Sequence, residues 1–190
     1  MKLFQLLLAS IYLLATISIY PTTIESVDVD KLVNRAELIF EGEVLSWDQV
    51  MENDRIFTKV RFRVLDVVAG NYSEDEITLQ FAGGTINGLK FSVGAIIPRP
   101  GEQGIYFVED TTGSLLNPLY GWSQGHFLVR ENRVYAADKE AVVNVQRTDA
   151  STDLVSDNVA DGIFTAPRMP SQRTLTPDQF KAEIKGLRNE

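Results

Sequence analysis

Between Leu38 and Ala136 the chain is broken by turn residues too often to hold a helical crossover, and this limits its fold more than any other feature. Ile56, Thr58, Val60, Phe62 and Val64 alternate with Phe57, Lys59, Arg61 and Arg63, the cleanest two-residue period in the sequence. Successive side chains on a strand point to opposite faces, so this pattern predicts one buried and one wet face, as in an antiparallel sheet. On the preceding strand Leu38, Phe40, Gly42 and Val44 share one face, with Glu41 and Glu43 on the other, and a polar turn from Met51 to Asp54 follows. Ile77, Leu79 and Phe81 predict a third strand, Leu89, Phe91 and Val93 a fourth, and Ile105 to Val108 a fifth. Gly70-Asn71, Gly83-Gly84, Asn87-Gly88 and the loop Pro98-Arg99-Pro100-Gly101 punctuate them. Asn87-Gly88 between Ile86 and Leu89 is a hairpin signal, because a type I′ turn needs positive φ at both central positions. Phe127 to Arg130 and Arg133 to Ala136 form a last hairpin over Glu131-Asn132. Parallel strands would need crossovers of about a dozen residues or more. The expected fold is mainly β: a small closed or partly open antiparallel barrel, OB-like in outline, with a short N-terminal helix and a C-terminal helix.

The flanks divide the chain further. Residues 1–20 have the layout of a signal peptide: Lys2, an apolar run from Leu3 to Ile19, and the breaker Pro21. Thr16 and Ser18 supply the small residues for cleavage; the alternative is an uncleaved anchor, for which the run is slightly short. Val29, Leu32 and Val33 are spaced for an amphipathic helix within Ser26–Arg35. Residues 25–139 then make the β-barrel domain and 140–172 an acidic polar linker, in which Asp149, Asp153, Asp157 and Asp161 recur every fourth residue. Residues 173–190 close the chain as an amphipathic helix, capped by Thr176-Pro177-Asp178 and lined by Phe180, Ile184 and Leu187.

Composition sets the compartment and the classes of partner. Some 170 residues beyond the leader make one domain, large enough to bury a core without staples. The absence of cysteine closes the lipid-attachment route and fits a bacterial periplasmic or secreted protein better than a small secreted animal domain. Without the leader, 17 basic residues face 26 acidic ones, and the formal charge moves from -8 to -9. An acidic domain with no basic stripe repels phosphate backbones and anionic bilayers, so nucleic acid and membrane contact beyond the leader are not expected.

Few strings carry chemistry. Gly121-Trp122-Ser123-Gln124-Gly125 matches the G-x-S-x-G nucleophile elbow, but a strand, Phe127-Leu128-Val129, follows where the elbow needs a helix. His126 is the chain's only histidine and sits before any candidate acid, against the order that a hydrolase triad requires. One histidine and no cysteine leave mainly carboxylates, which favour calcium or magnesium over zinc, and Asp157 to Gly162 lacks the ligand order of a calcium loop, so neither a metal nor a cofactor is expected. Glu41 and Glu43 have a spacing open to acid/base use, yet cross-strand ion pairs with Lys59, Arg61 and Arg63 account for them more simply. Tyr106, Tyr120, Trp122, Ser123, His126 and Phe127 are the candidate binding residues; the aromatics among them could equally plug a barrel end.

The segments Ala36–Val44, Phe62–Gly70, Gly83-Gly84, Pro100-Gly101-Glu102, Tyr106-Phe107-Val108 and Ser123–Phe127 together resemble a type of exported bacterial protein. The core of that type is similar to the OB-fold barrel of the netrin and tissue-inhibitor-of-metalloproteinase group. The resemblance spans roughly residues 30–136 and the terminal helix. It implies that Ser123-Gln124-Gly125 is the loop before the last hairpin rather than an elbow. The animal inhibitors place an N-terminal cysteine on the protease zinc, and this chain has none to offer. The functional expectation is an exported, non-enzymatic binding module contacting a protein or a cell-envelope component. A regulator of a secreted metalloprotease and a serine hydrolase using Ser123 are the competing readings.

Overall fold

The computed structural model describes residues 26–146, 159–166 and 174–188. The predicted leader, residues 147–158 and residues 167–173 lie outside the described residues. In chain order the elements are α1 (Val29–Arg35), β1 (Leu38–Glu52), β2 (Arg55–Ala69), β3 (Glu76–Ile86), β4 (Leu89–Ser92) and β5 (Gln103–Val108). A 3-10 turn (Trp122–Gly125) precedes β6 (His126–Arg130), β7 (Arg133–Ala136), β8 (Ala141–Val145), β9 (Ile163–Ala166) and α2 (Pro177–Leu187). The strands form one antiparallel sheet in the order β4-β3-β2-β1-β5-β6-β7-β8-β9. Its end strands, β4 and β9, do not pair with each other, so the sheet is not closed.

Three two-residue turns set the register. Asn53-Asp54, Asn87-Gly88 and Glu131-Asn132 all have positive φ at both positions. They join the pairs Glu52↔Arg55, Ile86↔Leu89 and Arg130↔Arg133, as type I′ hairpins require. The alternation read in β2 holds: Ile56, Thr58, Val60 and Phe62 are buried.

The first part of β1, from Leu38 to Gly42, and β5 are buried on both faces, which explains their unbroken apolar runs Leu38-Ile39-Phe40 and Ile105-Tyr106-Phe107-Val108. One core joins Ile39, Ile105, Phe107, Phe127 and Val134 to Leu32 and Val33 of α1 and Phe180 and Ile184 of α2. The other lies on the opposite face around Phe40, Val60, Phe62, Leu79, Phe81 and Tyr106. No described helix covers this second core. Instead the sheet curls over it: β1 carries three register shifts against β2, and β1 and β3 approach each other across β2. The loop after β5 crosses the open side, pairing Leu119 with Val108 and offering the Leu116 carbonyl to the Ala82 N–H at 2.7 Å.

Paired glycines make room for the rings. Gly42 and Gly104 are register partners; a Cβ on Gly42 would lie 2.6 Å from the Phe40 ring, and one on Gly104 would lie 2.8 Å from the Tyr106 ring. Phe40 lies over the glycine two residues after it, and Tyr106 over the glycine two residues before it. Phe40, Phe62 and Tyr106 then meet at centroid distances of 4.8–5.6 Å, geometry that contributes about 0.5–1.5 kcal/mol per pair beyond burial.

Helix α2 docks on the sheet of its own chain. Thr176 forms a capping box: its hydroxyl accepts from Gln179 N–H at 3.2 Å, and its own N–H donates to Gln179 Oε1 at 3.0 Å. Thr176→Ala is expected to cost about 1 kcal/mol, read from urea unfolding. Burial of Phe180 and Ile184 contributes about 1.5–3 kcal/mol each.

Two expectations need revision. Ala141–Val145 and Ile163–Ala166, inside the range read as a linker, are strands of the sheet. They are short apolar runs, and what makes them strands is mutual pairing across the intervening residues. Glu41 does not join the cross-strand ladder. Glu43 pairs with Arg63 at 2.8 Å as expected, whereas Glu41 is buried beneath α2 and bonds Lys181 at 2.7 Å. Lys59 and Arg61 reach Glu52 and Glu76 instead.

Candidate functional site

A cavity of about 740 Å³ lies on the curled face, between the β3–β4 hairpin, the loop before β5, and the β6–β7 hairpin. Its shape begins at Gly83-Gly84, where φ values of 129° and 141° let β3 turn from β2 towards β4. Side chains other than glycine rarely adopt such angles. The Thr58 hydroxyl fixes the bend by donating to the Gly83 carbonyl at 2.7 Å. Trp47, Phe91 and Ile97 form the apolar wall, and Trp47 Nε1 donates to the Pro98 carbonyl at 2.6 Å. That bond satisfies the indole N–H and leaves its ring for contact.

His126 and Leu128 line the opposite side. Tyr106 pairs with His126 in the register of β5 and β6, and the two rings stack at 5.1 Å with planes 25° apart. His126 is 1 % exposed and Tyr106 is fully buried. Neither ring nitrogen of His126 has a hydrogen-bond partner, nor has the Tyr106 hydroxyl. A buried polar group without a partner costs about 1–3 kcal/mol. Burial pushes the His126 pKa down to about 4, so the ring is neutral at pH 7. Burial, with help from the charge of Glu102, holds the Tyr106 phenol well above its ordinary value. The stack is thus uncharged and unsatisfied, at the edge of a ligand-sized space.

The six candidate binding residues do not form one surface. Tyr106 and His126 stack in the curled face, and His126 lines the cavity. Phe127 points the other way, 4.9 Å from Phe180 in the helix-side core, against which Tyr120 also packs. Trp122 and Ser123 sit in the 3-10 turn, entered by Gly121 at φ 65°. Its third residue, Gln124, is fully buried and accepts the Val27 N–H at 2.9 Å, tying the chain before α1 to the turn. Since both His126 nitrogens lack a partner, Ser123 receives no hydrogen bond from this histidine. The elbow-like string is a structural turn whose carbonyl at Ser123 accepts the N–H of His126.

The cavity's wall residues were not singled out from sequence. Trp47, Phe91 and Ile97 belong to three separate elements, and only Gly83-Gly84 marked the bend that brings them together. Among the described residues no group of three or more histidine, cysteine or carboxylate side chains could hold a metal ion. No described helix is long and apolar enough to cross a membrane. Comparison with known protein families, with curated proteins and with solved structures returns no match for this chain.

Proposed function

We propose that the chain is an exported binding module that takes up a small envelope component in the cavity beside His126. The observation that carries this reading is the cavity itself, of about 740 Å³, bordered by a buried aromatic stack with unsatisfied polar atoms. Ligand sites are typically concave, largely apolar and furnished with a few polar groups. Catalysis through Ser123 gains no support, because a serine needs a base within hydrogen-bond reach and His126 is not bonded to it. Export rests on the layout of residues 1–20, and cleavage near Ser18 is checked by the N-terminal sequence of the mature protein. What supports the OB-like reading is the β1–β5 half, where the curled sheet and the loop of residues 109–120 surround one core.

The test is a ligand-observed NMR screen with mixed neutral, cationic and anionic small molecules. It compares the wild type with Ser92→Trp, which places a large ring in the cavity from an exposed lining position. Saturation-transfer signals are expected from the wild type and lost in the variant. Signals from no class of compound, or signals unchanged by Ser92→Trp, would overturn the reading.

A further inference from the structure

The ligand class can be read from the charge at the cavity's mouth. Lys90, Arg99, Arg130 and Lys139 line it, against one carboxylate, Glu102. All four basic residues are exposed, and none forms an ion pair among the described residues. Glu102 is already engaged, with Oε2 accepting the Arg99 backbone N–H at 2.9 Å. Elsewhere among the described residues Lys31, Lys59, Arg61, Arg63 and Lys181 pair with carboxylates, whereas Arg35, Arg55, Arg133, Lys185 and Arg188 do not; what sets the mouth apart is that four unpaired cations border one cavity. Four cations without an ion pair, against one carboxylate, thus border this cavity in a chain of formal charge -8.

At physiological ionic strength interactions between exposed charges fade beyond roughly 8 Å, so acidic residues far from the cavity contribute little there; Glu131, Asp138 and Glu140 adjoin Arg130 and Lys139 in sequence but do not line it. The wall behind the four cations is apolar, through Trp47, Phe91, Ile97 and Leu128. We infer that the cavity binds a small organic anion, its acid group held at the Lys90–Arg99–Arg130–Lys139 mouth and its apolar body against Trp47, Phe91 and Leu128. The inference rests on the binding function proposed above and adds the charge and character of the ligand.

The test uses three probes with one body and different heads: 4-phenylbutyrate, 4-phenylbutan-1-ol and 4-phenylbutylamine. Calorimetric titration into the mature protein at pH 7 is expected to show the acid binding at least about tenfold more tightly than the alcohol, with the amine weakest. Raising the salt should narrow the gap between acid and alcohol. Lys90→Glu with Lys139→Glu, two exposed positions whose exchange leaves both cores intact, should remove the preference for the acid and retain binding of the alcohol. Equal affinity for all three probes, or preference for the amine, would overturn the charge assignment while leaving the binding function standing. Binding of none of them, with an empty NMR screen, would overturn both.

Discussion

Lys181→Met is expected to lower the unfolding free energy by about 3–5 kcal/mol, more than any surface exchange in this chain. Lys181 Nζ lies 2.7 Å from Glu41 and 3.0 Å from Asp66. The side chains of Glu41 and Lys181 are only 10 % and 12 % exposed, so both charges have given up most of their water. Burial alone would lower the Lys181 pKa, but hydrogen bonds to Glu41 and Asp66 outweigh it and hold the ammonium charged above the ordinary lysine range. A group with a raised folded pKa contributes its stability at all pH values below the unfolded one, so the loss should be undiminished across neutral pH. Methionine fills similar space but leaves the Glu41 carboxylate buried with only Gln103 Nε2, at 2.7 Å, as its neutral donor. The third contact, to Asp178 at 3.4 Å, involves a side chain that is 94 % exposed and adds little. Urea unfolding gives the magnitude, and the thermal midpoint should fall by on the order of 10 °C. Combining Lys181→Met with Glu41→Leu should recover most of the loss, since replacing both partners of a buried pair is far milder than orphaning one. A single-variant loss below about 1 kcal/mol would place the pair among exposed ion pairs and contradict the docking of α2 over β1.

The second large effect is acid sensitivity from His126. Burial lowers its folded pKa to about 4 from an ordinary 6.5. The folded state therefore resists protonation while the unfolded chain accepts it. The stabilisation is complete above pH 6.5, is lost as the pH falls through the window between these values, and changes no further below about 4. The separation corresponds to roughly 3 kcal/mol. Stability between pH 7 and pH 4 depends on more groups than one imidazole, so the comparison that isolates His126 is with His126→Phe, which keeps a ring against Tyr106 and removes the titration. Between pH 7 and pH 4 the wild type should lose roughly 3 kcal/mol more than the variant. Parallel losses would mean that water reaches the imidazole in the folded state.

Much of this architecture was legible before any coordinates. The two-residue period of β2, the polar stretch from Met51 to Asp54, Asn87-Gly88 and Glu131-Asn132 predict strands and turns from local sterics alone, and both helices announce themselves by apolar spacing; the first turn is tighter than read, since Met51 and Glu52 belong to β1. What local patterns cannot carry is curvature and partner choice. Leu38-Ile39-Phe40 marks a strand but does not say that its two faces serve two different cores. β8 and β9 are five- and four-residue segments whose strand character depends on each other. Glu41 looks like a member of a surface ladder until α2, 140 residues later, covers it with Lys181. The candidate site was half visible for the same reason: His126 and Tyr106 were identifiable as unusual residues, whereas the wall and the cationic mouth exist only after β3 bends at Gly83-Gly84.

His126 is the chain's only histidine, so its ring Hε1 proton gives one assignable NMR signal beside the cavity. Following that signal at pH 7 while 4-phenylbutyrate is added is the most direct test of the cavity as the functional site. A saturable shift in the wild type, absent in Ser92→Trp, is the expected result. Calorimetric binding of the acid with the His126 signal unmoved would place the ligand elsewhere and contradict the account.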